Sequence, residues 1–394
     1  MSTKPAASEA PLLPSFRAPR SVNWSTLVAP TDAEQDKAKK AREELTQTLL
    51  ASLKMEHIVV LAGSGCSLAA HGPSMDELWK NIVGEDPNEW ATKIAAKIGY
   101  DLSKANIEAF LSRIEAHQQI HEDTDVEAFH NMAKDSIHIQ CTGFLEGADL
   151  RAHEMFLHRL SRRRSRDQRL KVFTTNYDLC FERATSAIGG VAIDGFSFMA
   201  PRRYDPRYFD YDIIRRTRTG ESQGNYLEGV ILLYKLHGSV NWERRGNDII
   251  ETVKPAPENA CLIYPASGKY QQSYSQPYLE SVSQYLSAIR EPNTCVLIVG
   301  FGFNDDHLSE PLLAAARSNP HLRLVIVDPS LETKLTQGTG NHFQNEFATL
   351  SQRGEDIWFL NSKFNDFAEL IPDLKSLTPA ERLMKAVQGI QTKE

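Results

Sequence analysis

The sequence predicts an α/β protein: a Rossmann-like, doubly wound, mostly parallel sheet with a helical insertion. Three observations predict it. Short β-branched runs alternate with segments of helical period, the pattern of βαβ units. The runs are apolar throughout, as strands covered on both faces must be. Four of them stop at a small or polar signature, AGSGCS, TTNYD, KLHGS and GFGFNDD, and a fifth stops at an aspartate.

Residues 1–30 hold five prolines and no apolar period. They read as an extended N-terminal arm, disordered or laid on a neighbour. Thr31 and Glu34 have capping-box spacing and open a helix. The first strand is His57–Ala62, running straight into Gly63–Ser67. Ser74 and Glu77 form a second capping box, with Leu78, Trp79, Ile82 and Val83 on one helix face. Residues from about 85 to 160 have helical pattern only and read as the insertion. Further strands are expected at Lys171–Thr175, Val230–Leu236, Thr294–Val299, Leu322–Val327 and Asp356–Leu360, with helices between them, including 276–290 and 307–318. The main domain spans 31–375, and Thr378 to Glu381 opens a C-terminal helix over 376–394 with proline at its first position.

The composition excludes several classes. Of 394 residues, 41% are hydrophobic and 24% charged, values of a globular chain. A net charge of −7 argues against nucleic acid as the main partner, because phosphate binders carry a basic face. The five cysteines are scattered, with no Cys-x-x-Cys pair, so a zinc site built from such pairs is absent and no metal is expected. The N-terminus lacks the apolar core of a signal peptide, and no apolar run is long enough to span a bilayer. A cytoplasmic protein is expected.

The polar strand ends carry the functional signal, since ligands of open α/β sheets bind beyond the carboxyl ends of the strands. Gly63 and Gly65 follow a strand; they read either as a backbone cradle for pyrophosphate or as a tight strand–helix turn. Asp178 suits a loop-holding cap. Asn176 suits a ligand, because its amide both donates to and accepts from a ribose hydroxyl. His237 sits at a strand end with a glycine behind it, where imidazole serves as a general base near neutrality.

Two basic clusters stand apart. Arg159, Arg162, Arg163, Arg164, Arg166, Arg169 and Lys171 read first as a solvated helix end and second as a contact for protein or nucleic acid. Arg202, Arg203, Arg207, Arg215, Arg216 and Arg218 are interleaved with Tyr204, Tyr208, Phe209 and Tyr211, and read as a lid or an oligomer contact.

The set AGSGCSLAAHGPS, FTTNYDLCFE, KLHGSVNW and GFGFNDDHL, in that order over roughly residues 50–370, resembles the sirtuin-like NADase domains of bacterial anti-phage defence systems. The resemblance implies NAD as substrate, hydrolysed to ADP-ribose and nicotinamide when the protein is activated. It implies Asn176 and His237 as catalytic residues. It also implies a dinucleotide loop at Ala62, Gly63, Ser64 and Ser67, a second loop at Gly300, Phe301 and Asn304, and Asp328 at the strand end that meets the adenosine ribose. Asp178 joins this binding set. A stand-alone subunit of this length resembles the one that pairs with a HerA-type hexameric ATPase, implying a homo-oligomer that meets nucleic acid only through the complex. The missing cysteine pairs depart from deacylase sirtuins, whose zinc ribbon needs them. The alternatives are a regulatory subunit that binds NAD or ADP-ribose without turnover, a protein deacylase, and a DNA-acting enzyme.

Overall fold

The computed structural model describes residues 13–29, 31–162, 168–215, 225–253, 255–256, 259–264 and 276–374. Its strands are β1 (Ser15–Arg17), β2 (Ser25–Thr26), β3 (His57–Ala62), β4 (Leu170–Thr174), β5 (Val191–Ile193), β6 (Ile214–Arg215), β7 (Asn225–Tyr226), β8 (Val230–Lys235), β9 (Gly238–Arg245), β10 (Asp248–Glu251), β11 (Ala260–Leu262), β12 (Thr294–Val299), β13 (Leu322–Val327) and β14 (Ile357–Asn361). Its helices are α1 (Gln35–Leu53), α2 (Ser64–Leu68), α3 (Met75–Ile82), α4 (Glu89–Ile98), α5 (Ile107–Gln118), α6 (Thr124–Gly143), α7 (Arg151–Ser161), α8 (Cys180–Ala187), α9 (Tyr278–Ala288), α10 (Asp306–Ser318), α11 (Leu331–Gln337), α12 (His342–Arg353) and α13 (Phe364–Leu370).

Nine strands form one sheet in the order β2-β1-β14-β13-β12-β3-β4-β8-β5, parallel from β14 to β5. The doubly wound parallel sheet is the fold class that the apolar runs predict. Register brings the strand ends level: Lys235 stands beside Thr174, Thr174 beside Ala62, Ala62 beside Val299, Val299 beside Val327, and Val327 beside Leu360. From β3 the chain passes to β4, skips to the edge strand β5 and returns to β8 between them. It then crosses back to β12 and continues to β13 and β14 on the other side. The β3–β12 boundary is therefore the topological switch point, where an open α/β sheet leaves a crevice.

Alternation along β3 feeds two cores. Val59 and Leu61 join one cluster with Tyr285, Leu312 and Phe347; Ile58, Val60 and Ala62 join the other with Leu49, Phe156, Phe181 and Phe367. Helix α1 enters the second core because Ala38, Ala41, Leu45, Leu49 and Ser52 recur at helical spacing on its buried face. A third core belongs to the insertion: Trp79, Ile94, Phe110 and Phe129 pack together and meet Val240, Leu262 and Tyr264 of the antiparallel sheet β10-β9-β11.

The structure revises three boundaries. The described part of the arm adds to the sheet: β1 pairs with β14 and β2 with β1, both antiparallel, and the Arg17 guanidinium lies 4.6 Å over Phe359 and 5.6 Å over Trp24. The insertion is α3–α6 and not 85–160, because Phe156, Leu157 and Leu160 of α7 pack under the main sheet. The Ser74–Glu77 capping box forms, whereas Thr31 makes only a side-chain bond to Glu34 ahead of α1. The C-terminal helix expected over 376–394 lies outside the described residues. Among those described, no helix is long and apolar enough to cross a membrane.

Two histidines are buried, and burial outweighs the Asp178 charge near His153 and the Glu115 carboxylate 3.8 Å from His130. His153 is packed against Phe181 and Phe364, and burial pushes its imidazole down to about 4. Burial likewise pushes His130 to about 4. Both stay neutral in the folded chain while the unfolded chain takes up protons below about 6.5. Stability should thus be fully present above pH 6.5 and fall as pH drops towards 4, by about 1.4 kcal/mol per unit for each histidine. Urea midpoints measured from pH 7 to pH 5 should fall, and His153→Leu should make the fall shallower. An equal slope in both proteins would remove His153 from this account.

Candidate active site

A cavity of about 740 Å³ opens at the switch point, within the usual range for ligand pockets. Its floor is a backbone contact. Gly63 N–H donates to Val299 O (3.0 Å), Gly65 N–H to Gly300 O (3.0 Å) and Cys66 N–H to Gly63 O (3.0 Å). A Cβ on Gly63 would sit 2.5 Å from Gly300 O, one on Gly65 2.6 Å from Gly300 Cα, and one on Gly300 2.5 Å from Cys66 N. The glycines are there so that two loops can touch through their main chains. The N–H groups of Gly63 and Gly65 are themselves spent on that contact, so neither is left to donate to an anion. The turn reading is also only half right: Gly63 has extended dihedrals, and it is close approach that excludes a side chain.

Asn176, just beyond β4, is buried, and its Nδ2 donates to Gly63 O (2.9 Å) and Ser67 Oγ (2.8 Å). Ser67 Oγ in turn donates to Asp178 Oδ2 (2.5 Å), whose other oxygen accepts from Cys180 N–H (3.0 Å) at the start of α8. The chain Asn176–Ser67–Asp178 therefore ties the β4 loop to the β3 loop. With both amide hydrogens committed, Asn176 has only its oxygen to offer a ligand, so it can accept a hydroxyl proton but not donate in return. Asp178 has the loop-holding role that its residue type suggested.

His237 is buried two residues beyond the end of β8, with its ring 5.6 Å from that of His307. Ile263 N–H donates to its carbonyl (2.9 Å), and Gly238 then turns the chain into β9 at φ +84°. A Cβ at Gly238 would lie 2.0 Å from Cys261 O, so glycine is required directly behind the histidine. Tyr177 bonds through its hydroxyl to Ile263 O and through its carbonyl to Val240 N–H (3.0 Å), holding β9 and β11 against the β4 loop. Burial raises the Tyr177 hydroxyl well above its ordinary range.

Of the residues expected at the site, Gly63, Ser64, Ser67, Asn176, Asp178, His237, Gly300, Phe301, Asn304 and Asp328 all line the cavity. Ala62 does not: it is fully buried at the strand end, and its carbonyl accepts Thr175 N–H (3.0 Å). Phe301 keeps its side chain in the core beside Phe303. Asp328 is engaged locally, by Ser330 N–H (2.7 Å), Ser330 Oγ (2.6 Å) and Lys334 Nζ (3.3 Å).

Sequence reasoning missed two walls. Ser362, Lys363 and Asn365 follow β14, so the strand-end rule applied to that strand would have found them. Glu108, Cys141 and Phe144 come from the insertion, whose helices carry no local signal of facing a site. Burial pushes the Cys141 thiol up to about 12, so it stays protonated and inert near neutrality. Among the described residues no group of three His, Cys, Asp or Glu side chains could hold a metal.

The comparisons with known proteins bear on the same region. Residues 170–347 match the family model of the SIR2-like domain. The match runs from β4 into α12 and takes in Asn176, His237, the Gly300–Asn304 loop and Asp328. No curated protein matches the chain. Among solved structures, a Sir2 homologue in complex with NAD is similar at a TM-score of 0.44 and 12% identity, over 82% of this chain and 91% of that one. A Sir2 bound to an acetylated peptide follows at 0.40 and 12%, over 82% and 95%. At those scores the fold assignment rests on the strand order itself.

Among the described residues, no member of the basic clusters lines this cavity. Arg159 donates to the carbonyls of Ala368, Glu369 and Ile371 at the end of α13, and Arg169 pairs with Asp212 (2.7 Å). Arg202 pairs with Asp194 and Glu251, Arg203 with Asp248, and Arg207 with Asp205. Arg163, Arg164, Arg166, Arg216 and Arg218 lie outside the described residues.

The glycine contact is directly testable. Gly65→Ala should cost about 1–3 kcal/mol, as overpacking does, whereas Gly143→Ala, with open space around it in the last turn of α6, should be neutral or stabilising by up to about 1 kcal/mol. Urea unfolding of the two variants decides it, and equal stabilities would mean that the loops separate without penalty.

Proposed function

We propose that this chain binds NAD in the switch-point cavity and hydrolyses it to nicotinamide and ADP-ribose. The observation that carries the reading is the convergence of Asn176 and His237, from separate strand ends, on one cavity bounded by the two glycine-linked loops. The SIR2-like match over 170–347 supports it, as does the order of the four motifs.

In this reading the Asn176 oxygen accepts a hydrogen bond from a hydroxyl of the nicotinamide ribose and fixes the sugar. Ser64 and Lys363, both on the cavity wall, offer a hydroxyl and a cation to the pyrophosphate. The bond from ribose C1′ to the nicotinamide nitrogen breaks, and its electron pair leaves with nicotinamide. Water adds to C1′, and His237 accepts the proton, directly or from a ribose hydroxyl. A positioned base contributes on the order of 10²–10⁴ in rate. The aromatic and apolar wall supplied by Met75, Leu78 and Phe144 limits bulk water.

The motif resemblance extends the proposal to a cytoplasmic anti-phage effector that depletes NAD, working as a homo-oligomer with a HerA-type hexameric ATPase. Nicotinamide release should then rise when such an ATPase is added to the purified chain.

Nicotinamide release from NAD, followed by chromatography, tests the chemistry. His237→Ala should lower kcat by about 10²–10⁴ and Asn176→Ala should abolish turnover, with circular dichroism unchanged for both. Near-wild-type release by either variant sinks the assignment. NAD binding without release, with the ATPase present, would instead mark a sensor, and loss of acetyl from an acetyl-lysine peptide would mark a deacylase.

A further inference from the structure

A cation lies buried between the two strand ends that carry Asn176 and His237. The Lys235 side chain is 2% exposed; its ammonium donates to the Asp178 carbonyl and lies 3.1 Å from Glu182 Oε1. Lys235 is two residues before His237 on the same chain segment and stands beside Thr174, two residues before Asn176. Glu182 belongs to the first turn of α8, the helix whose first N–H is capped by the Asp178 carboxylate. The ammonium thus touches the β4 loop and helix α8 while being covalently part of the His237 strand. Burying an ammonium is expensive, and an apolar residue would cover this space more cheaply. Glu182 also keeps one buried oxygen without a hydrogen-bond partner among the described residues, so the pair is not arranged for stability alone.

We propose that Lys235 is a positioning residue, which with its counter-ion Glu182 fixes the β4 loop against the β8 end and so sets the distance between the Asn176 amide and the His237 ring. The proposal rests on the hydrolase reading for its effect on rate. Its geometric content stands apart from that reading. The ammonium holds the carbonyl of Asp178; the Asp178 carboxylate holds Ser67, and Ser67 holds Asn176. Without the cation, that run of contacts remains tied to β3 but loses its side-chain link to β8, leaving the main-chain bonds of Leu236 N–H to Thr174 O (2.8 Å) and Val240 N–H to Tyr177 O (3.0 Å). Burial raises the Glu182 carboxyl above its ordinary range, against the pull of Lys235.

The test uses the full chain with the double substitution Lys235→Met and Glu182→Gln, which removes both charges and strands neither. Three quantities are read: the melting temperature, kcat and KM for nicotinamide release, and the carbon-13 signal of the His237 imidazole, identified by its loss in His237→Gln. A folded double variant with kcat lowered tenfold or more, KM within threefold and a displaced His237 signal supports the proposal. The exchange Lys235→Arg with Glu182→Asp, which keeps a cation and shortens its partner, should return the signal and part of the rate. A His237 signal that does not move in the double variant overturns the proposal, whatever the rate does. If the unsubstituted chain releases no nicotinamide, the hydrolase reading fails, and the His237 signal alone decides the positioning role by the same two outcomes. Should the double variant fail to fold, the single exchange Glu182→Gln, which removes the counter-ion and keeps the cation, carries the test: a displaced His237 signal supports, and an unmoved signal overturns.

Discussion

The contact of Gly63 and Gly65 with Gly300 is the constraint on which the rest of the site depends. It occurs at the β3–β12 boundary, where strands on the two sides are reached by winding in opposite directions and a crevice is left. Two loops that belong to distant parts of the sequence must meet through bare backbone, because any Cβ would enter a space of about 2.5 Å. Main-chain hydrogen bonds then lock β3 to β12 past their last ladder rung, and the crevice acquires a rigid floor. Everything that faces a ligand is measured from that floor: Asn176 bonds to the carbonyl of Gly63, Ser67 follows on the short helix, and Asn304 follows from the other loop.

The polar groups above the floor are satisfied by one another before any ligand arrives. A buried amide, hydroxyl and carboxylate in a row are tolerable only because each donor meets an acceptor. That satisfaction has a chemical consequence. The direction of the hydrogen bonds strips Asn176 of its donors and leaves it as an acceptor, while Asp178 spends its charge on Ser67 and on the first turn of α8. Polar atoms fixed in advance need little rearrangement when charge develops near them, which is how preorganised sites gain rate.

Much of this was legible in the sequence, for stated reasons. The strands β3, β12 and β13 fall where their apolar runs end, because a strand covered on both faces has no competing period. Asn176, His237, Gly300 and Asn304 were found by one rule, that strand ends meet at a sheet edge. What the rule could not supply is direction and distance. The family resemblance placed Ala62 among the binding residues, whereas the structure buries it in the strand. The strand-end rule could not show that Gly63 and Gly65 would meet Gly300 main chain to main chain. The insertion's contribution is opaque for a deeper reason: Glu108 and Cys141 reach the cavity only through packing of α5 and α6 on Val240, Leu262 and Tyr264. The short strands β1, β2 and β5, of two or three residues, are too brief to carry a period at all.

The pairing of β1 with β14 has a consequence for how the chain comes together. Ser15–Arg17 is made well before most of the sheet, yet its ladder partners are Phe359–Asn361, and its hydroxyl contact at Glu332 also comes late. Through nearly all of synthesis this strand, with Phe16 and the Arg17 cation, has nowhere to dock. Closure of the sheet edge is accordingly a last event, which joins the two ends of the described chain and completes the domain only when both are present. The same arrangement makes each end the cover of the other: removing the first strand uncovers the hydrogen-bonding edge of β14, and an uncovered parallel-sheet edge invites pairing with another molecule.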